Sequence, residues 1–404
     1  SQKVVDYLKL RASVGLVGND QIGGKRYMYL PDSYKVNQAG YNFGYDNPQN
    51  IQSATEDLLS NPYVTWETAL KKNVGVDVAF LNNRLRLAAD LFHDIRNDIL
   101  ITRKVIPGVM AFSSSTLPPV NMGEVENKGY EIEIKWNDKI REFRYWIEPN
   151  ISFARNKIIF MDEIPPTEPY QAETGRSTNS LLGYLTEGFY SEDDFADLSN
   201  NVLKDGLPVP ANPVYPGDLK YVDVNKDGLI SVADMKFIGY PTRPEYVLGL
   251  NYGVSYKGFD LSMNWTGALN RTVSLNGYYR IPGAATGVRA IFSYMMEERW
   301  TPETAEIASA PRFSRKSVTH NYMDSELWLR DGSYLRLKNA KVGYTFKKSA
   351  FLKQFGISQL SLYATGYNLL TFDKLKIVDP EFNDSASEGY PIIKIYNVGI
   401  NVTF

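Results

Sequence analysis

Apolar and polar side chains alternate with a period of two along most of the chain, while helical periodicity is scarce. Toward the end of 66–81, Val74, Val76, Val78 and Phe80 share one face, and Asn73, Gly75, Asp77 and Ala79 the other. Tyr130, Ile132, Ile134 and Trp136 alternate with Glu131, Glu133 and Lys135. Phe143, Tyr145, Ile147, Ile151 and Phe153 alternate with Arg144, Glu148, Asn150 and Ser152. The last strand reads most simply, with Tyr396, Val398, Ile400, Val402 and Phe404 set against Asn397, Gly399, Asn401 and Thr403. The pattern predicts ten strands, over 8–18, 66–81, 84–96, 127–137, 142–155, 245–256, 259–271, 333–347, 357–370 and 393–404. A short helix is expected within Ala290–Trp300.

The connections say more than the strands. Asn82-Asn83, Asp138-Lys139-Ile140 with its neighbours, and Lys257-Gly258 read as tight turns. The connections 19–65, 97–126, 156–244, 272–332 and 371–392 are long, and short and long alternate along the chain. Successive antiparallel strands return every second connection to the same side, so one side carries all the long loops. An outer-membrane β-barrel shows this asymmetry. Strands of about ten residues suit a tilted membrane crossing better than the soluble average of about five to six. The fold class is therefore all-β, a transmembrane antiparallel β-barrel segment of about ten strands drawn from a larger barrel, with long extracellular loops. A large soluble β-sandwich would also alternate, but gives no reason for one-sided loop lengths.

Composition narrows the chemistry. The 404 residues include 44 basic and 46 acidic side chains, a net charge of −2, and no cysteine. Cysteine-ligated metal sites and disulfides are excluded, and the balanced charge offers nucleic acid no electrostatic footprint. With His93 and His320 as the two histidines, a histidine-based triad lacks material. His93 shares the parity of Leu87, Ala89 and Leu91 and is expected at a strand end, at a membrane boundary. A mean hydropathy of −0.31 looks soluble, yet barrel strands that show lipid every second residue, joined by large polar loops, average to such a value. Aromatic residues make up 13% of the chain, led by 28 tyrosines, which suits strand ends at a membrane interface. The chain begins Ser1-Gln2-Lys3 with neither Met nor a signal segment, so a processed chain or a piece of a longer one is expected.

One motif carries defined chemistry. Asp223, Asn225, Asp227, Gly228 and Asp234 match D-x-[DN]-x-[DN]-G with an acid at position twelve. Ca²⁺ takes six to eight oxygens, which alternate side chains supply while glycine permits the turn. Asp223, Asn225, Asp227, the Leu229 carbonyl and Asp234 are the expected ligands of a structural Ca²⁺, with Ile230 anchoring the loop on a small core. A solvated acidic turn with the same spacing is the alternative. The loop would staple the 156–244 connection, which is too long to be structureless. Glu297 and Glu298 are adjacent and face apart on a helix. No nucleophile elbow, phosphate loop or dinucleotide fingerprint is present. No catalytic residue is assigned, and the chain reads as a transport protein, not an enzyme.

Several segments, in order, resemble the C-terminal half of SusC/RagA-type TonB-dependent outer-membrane transporters of the Bacteroidetes. They are Leu8–Asn19, Asn61–Thr68, Phe80–Leu85, Asn121–Gly129, Pro216–Asp223 leading into the calcium-like loop, Ile238-Gly239, Arg299–Pro302 and Leu335–Asn339. The resemblance implies a 22-stranded barrel holding a plug. It implies a SusD-like surface lipoprotein as lid, often in a dimer of such pairs, and cargo of oligosaccharides or oligopeptides. Energy would come from TonB–ExbB–ExbD through a plug segment. The resemblance also makes Phe404, an aromatic last residue, the expected barrel-insertion signal, with the C-terminus periplasmic and the long loops outside a Gram-negative outer membrane.

The departures are the missing plug, TonB box and N-terminal carboxypeptidase-regulatory-like domain. Ten strands of a larger barrel would leave two unpaired edges in lipid, each unsatisfied backbone group costing several kcal/mol. A separate polypeptide, or an upstream segment lost by proteolysis, is therefore expected to supply the remaining strands and plug. Two alternatives stay open: a self-contained small pore, and a soluble carbohydrate-binding β-protein. Tyr27, Tyr29, Tyr34, Tyr41 and Tyr45 in the first long loop suit stacking on sugar rings or peptide side chains, or packing of the loops themselves. Nothing in the sequence separates glycan from peptide.

Overall fold

The computed structural model describes residues 4–20, 27–30, 34–45, 48–56, 59–106, 116–285, 291–313, 318–347, 352, 354–375, 377–381 and 392–404. Ten long strands form one antiparallel sheet, each pairing with the next in chain order. They are β1 (Val5–Asn19), β2 (Glu67–Phe80), β3 (Leu85–Ile101), β4 (Val120–Ile140), β5 (Phe143–Phe160), β6 (Tyr246–Tyr256), β7 (Phe259–Leu269), β8 (Tyr334–Lys347), β9 (Gln359–Asp373) and β10 (Ile395–Thr403). All ten predicted strands are present. No helix among the described residues is long and apolar enough to cross a membrane, which says nothing of strands.

Backbone geometry explains the tight connections. Leu81, Asn82 and Asn83 take φ values of 58°, 59° and 63°, a left-handed run in which asparagine is tolerated. Lys257 and Gly258, at 48° and 95°, have the two positive φ angles of a type I′ turn, whose twist matches the flanking strands. The turn expected at Asp138-Lys139-Ile140 and neighbours is shifted onto those neighbours. Asp138, Lys139 and Ile140 pair with Tyr145, Arg144 and Phe143, and the reversal falls on Arg141-Glu142, with Arg141 at φ 56°. Likewise β4 begins at Val120 and not at 127, because its ladder with β3 runs on to Ile101↔Val120. Residues 121–127 are mostly polar, so the apolar alternation that marks a strand stops before the backbone pairing does.

Register sorts the side chains into two faces. One row reads Val74↔Leu91↔Tyr130↔Phe153↔Tyr246, and the rows toward the tight-turn side read Val76↔Ala89↔Ile132↔Ile151↔Leu248 and Phe80↔Leu85↔Trp136↔Ile147↔Tyr252. Rings cap this band at both ends. Phe153 stacks 5.4 Å from Tyr130 and lies 4.7 Å from Tyr246 on the long-loop side. Phe143, Tyr145, Tyr256, Phe259, Tyr344 and Phe346 gather on the other. From Phe153 to Phe143 is about 34 Å along the strand at ~3.4 Å per residue, or about 26 Å of height at a tilt of ~40°. That is the height of the apolar band on a membrane barrel. The opposite face carries Asp77, Asp90, Glu133, Asn150, Asn251, Asn264 and Lys341 in its rows.

The sheet does not close on itself. β1 and β10 are its outer strands, and neither pairs with a further long strand among the described residues. Ten strands that form their own small pore would pair these two, so that alternative is corrected. The apolar row of β1 stays open, with Leu10 76% and Val14 74% exposed, as does that of β10, with Val398 88% exposed. A soluble sandwich would bury one such face.

Candidate functional site

The long connections on one side build short strands of their own. In 161–245, Leu181–Gly183 pairs with Lys236–Ile238, Thr186–Phe189 with Leu219–Tyr221, and Val209–Pro210 runs parallel to Leu229–Ile230. In 270–333, Thr272–Ser274 pairs with Leu329–Asp331. The expected helix is present as a six-residue turn, Ser293–Glu298. The connection 161–245 is therefore ordered around a core of Tyr184, Leu219, Tyr221 and Ile230.

Ile230 comes from the calcium-like loop and is 5% exposed, so the loop is anchored as its sequence led us to expect. Asp223 accepts hydrogen bonds from the amides of Lys226 at 2.7 Å and Gly228 at 2.8 Å, and Asn225 Oδ1 accepts from the Asp227 amide at 3.1 Å. Asp227 accepts from the Leu229 amide, and Asp234, fully buried, accepts from the amides of Val224 and Ser231, all at 2.8 Å. Gly228 has φ +83° and Lys226 φ 60°, which bend the loop back over these acids. Each carboxylate has about four lone-pair sites, so the amides leave acceptor capacity over. Among the described residues, Asp234 has no cationic partner, and no three acidic or histidine side chains converge into a preformed metal cage. The donor set of carboxylates, an amide and a carbonyl fits a hard cation. The Tyr170 hydroxyl donates to Ala233 O at 2.6 Å, and its pKa is raised, chiefly by burial and then by Glu168, Asp234, Asp223 and Asp227.

A second cluster joins the two longest loops and was not singled out in the sequence. Asp218 is fully buried. It takes Arg312 Nε at 2.7 Å, Asn321 Nδ2 at 2.9 Å and the Tyr215 amide at 2.9 Å. Next to it, the Leu219 amide donates to Asn321 Oδ1, and His320 Nε2 lies 2.7 Å from the Leu219 carbonyl, so that nitrogen carries the proton. The Tyr221 hydroxyl donates to His320 O at 2.6 Å, and Trp328 Nε1 to Asn321 O at 3.0 Å. Burial lowers the His320 pKa, against smaller upward effects of the Leu219 carbonyl and Asp218. Gly217, at φ +86°, lies under the Trp300 ring, where an added Cβ would sit 2.3 Å from a ring carbon. The motifs Pro216–Asp218 and Arg299–Pro302, some 80 residues apart in the chain, thus meet at one point. No local sequence signal marks this node, because Asp218 and Asn321 are 103 positions apart.

A third cluster fixes residues 379–381 to the polar face of the sheet. Arg336, with no exposed surface, donates to Asp379 at 2.5 Å and to Glu381 at 2.9 Å, while the Tyr334 hydroxyl donates to Glu381 at 2.8 Å. Lys338 reaches Glu381 at 3.1 Å, and Arg271 donates to Thr242 O and Pro380 O. On the same face of β1–β3, Arg11 bridges Asp77 at 3.0 Å and Asp90 at 2.8 Å.

The remaining sequence-marked residues stay apart from these clusters. Phe404 follows β10 at the tight-turn side and is 83% exposed. His93 stands near the long-loop end of the apolar face with Nε2 2.8 Å from Glu126. Glu298 accepts from Ser309 Oγ at 2.7 Å, so the Glu297-Glu298 pair makes no common site. Tyr27, Tyr29, Tyr34, Tyr41 and Tyr45 are all exposed, Tyr45 completely, while Tyr27 meets Tyr29 and Tyr41 meets Phe43 edge to face.

Residues 4–369 match the family model described as TonB dependent receptor-like, beta-barrel. The chain is 29% identical to TonB-dependent receptor P3 of Formosa agariphila over 98% of its length and 39% of the relative. It is 26% identical to TonB-dependent receptor SusC of Bacteroides thetaiotaomicron, over 99% of the chain and 38% of the relative. Among solved structures, the RagAB peptide transporter aligns with all of the chain and 42% of the matched chain, at 23% identity and a TM-score of 0.70. At that identity the likeness carries the fold alone. The chain spans about two-fifths of the length of the curated relatives it matches.

Proposed function

From the premise that the chain belongs to the TonB-dependent receptor-like β-barrel family, we propose that it forms ten strands of an outer-membrane importer of large nutrients, oligosaccharides or oligopeptides. Receptors of this family are outer-membrane β-barrels, and the family is one of transporters, not enzymes. The observation that carries the proposal is the two-faced sheet: an apolar band about 34 Å long along the strand between aromatic girdles, backed by a face of Asp, Glu, Asn, Lys and Arg. The apolar face would meet lipid and the polar face the lumen. The long loops would lie outside the cell, with Phe404 at the periplasmic end as the insertion signal.

The unpaired backbone edges of β1 and β10 could not rest in lipid, where each unpaired group costs several kcal/mol. Further strands, and a plug engaged by TonB–ExbB–ExbD, would therefore come from polypeptide outside residues 1–404. The joined loops 161–245 and 270–333 give a SusD-like lipoprotein a firm seat, and the exposed tyrosines of the first loop suit cargo. Deleting the coding gene should abolish uptake of a fluorescent oligosaccharide or oligopeptide, and a protonophore should do the same in the parent strain. Uptake of both classes undiminished by the deletion would sink the proposal, and the class that is lost would name the cargo.

We also propose that the loop at 223–234 binds Ca²⁺, with Asp223, Asn225, Asp227, the Leu229 carbonyl and Asp234 as ligands. The ion would supply positive charge to a loop whose buried Asp234 has no cationic partner among the described residues. Chelation, or Asp227→Ala, is expected to raise protease cleavage within 218–240. Equal cleavage with and without Ca²⁺ would favour the self-bonded turn.

A further inference from the structure

On the apolar face, directly above the row Val74–Leu91–Tyr130–Phe153, lies a row of four basic side chains. Lys72 is in register with His93, His93 with Lys128, and Lys128 with Arg155. Four neighbouring strands place them across about 14 Å at ~4.8 Å per strand. Lys157, one row farther out beside Glu126, adds a fifth. Two carboxylates answer them. Glu126 sits 2.8 Å from His93 Nε2 and 3.5 Å from Lys128 Nζ, and Glu245 holds Arg155 through two bonds of 2.6 and 2.8 Å. Lys72 makes no ion pair among the described residues. Four cations (Lys72, Lys128, Arg155, Lys157) less three carboxylates (Glu124, Glu126, Glu245) leave one positive charge uncompensated. Glu124 enters this balance because it lies two residues from Glu126, the residue opposite Lys157, about 7 Å along the strand and within the screening length of about 8 Å.

The patch is confined to one sector. The apolar face of β6, β7 and β10 carries no basic residue at all, so the row is not a continuous boundary belt. Immediately below it, Val74 and Leu91 are 61% and 63% exposed. Fixed positive charge over exposed aliphatic surface is complementary to a lipid: phosphate at the row, acyl chains along the aliphatic side chains beneath.

We propose that Lys72, His93, Lys128 and Arg155 form a binding site for the phosphate-bearing headgroup of a lipid in the outer leaflet. The site rests on the reading that this face meets the membrane. Lys72 and Lys128, the two exposed lysines, carry the attraction, and Arg155 is held in place by Glu245.

The test uses the assembled transporter purified in detergent, delipidated, and titrated by native mass spectrometry with phosphorylated lipid A and with the same lipid stripped of phosphate. Phosphorylated lipid is expected to bind preferentially, and Lys72→Gln with Lys128→Gln to weaken it about 25-fold, at about fivefold per lysine. Lys72→Arg with Lys128→Arg should restore binding. Equal binding of the two lipids, or no change in the glutamine variant, would overturn the site. Reconstitution of the same samples into vesicles separates the two ideas. A protein that inserts but ignores phosphate loses only this site, whereas one that fails to insert loses the membrane reading and the site together.

Discussion

Single residues decide how the long loops hold together. Gly217 has a positive φ and the Trp300 ring against its Cα, so Gly217→Ala adds both backbone strain and a clash. The cost is about 2–3 kcal/mol, of which the left-handed backbone alone accounts for ~1–2. Hydrogen exchange should show lost protection at 215–219, 298–302 and 312, with the strands unaffected, whereas unchanged protection would mean that the Gly217–Trp300 contact does not hold the loops. His320 gives the same node a pH response. Burial lowers its pKa, so below the unfolded value of about 6.5 the unfolded loops bind a proton that the folded ones do not. Stability is then complete above about 6.5 and lost as pH falls toward the lowered folded value. Exchange at 184–221 and 318–328 should accelerate as pH drops from 7.5 to 5 after correction for intrinsic rates, and His320→Gln should flatten that dependence. An identical profile in the variant would remove His320 from the account.

At the level of elements, the strands were legible in the sequence because a two-residue period survives wherever one face is apolar, as at Tyr396, Val398 and Ile400. It failed where pairing outlasts that requirement. The polar start of β4, residues 120–126, escapes it, and for the same reason the turn is read slightly ahead of the true reversal at Arg141-Glu142. The faces make a sharp energetic prediction. Ile151→Arg, in the middle of the apolar band, should cost about 2–4 kcal/mol in a bilayer, while Asn150→Arg on the polar face should cost close to none. Urea unfolding in liposomes measures both, and equal costs would mean that the faces do not meet lipid and lumen.

For the molecule as a whole, the fold and the single calcium-like loop could be read from sequence, but the junction of the long loops could not. Asp218 and Arg312 are 94 positions apart, and Leu219 and Asn321 are 102 apart. No local pattern marks partners that only the folded loops bring together. The same applies to Arg336 with Asp379 and Glu381, and to the basic row, whose four members become neighbours only through strand register. If this sheet is a wall between lipid and a watery lumen, β5 must present the two environments to alternate residues. The chain has no cysteine, so single cysteines placed in turn at 147–155 can each carry a spin label in vesicles. Labels at 147, 151 and 153 should be accessible to oxygen and those at 148, 150 and 152 to a nickel chelate, with 155 turning polar at the membrane surface. Neighbouring positions between 147 and 153 with the same accessibility, or the opposite parity, would show that the sheet is not such a wall.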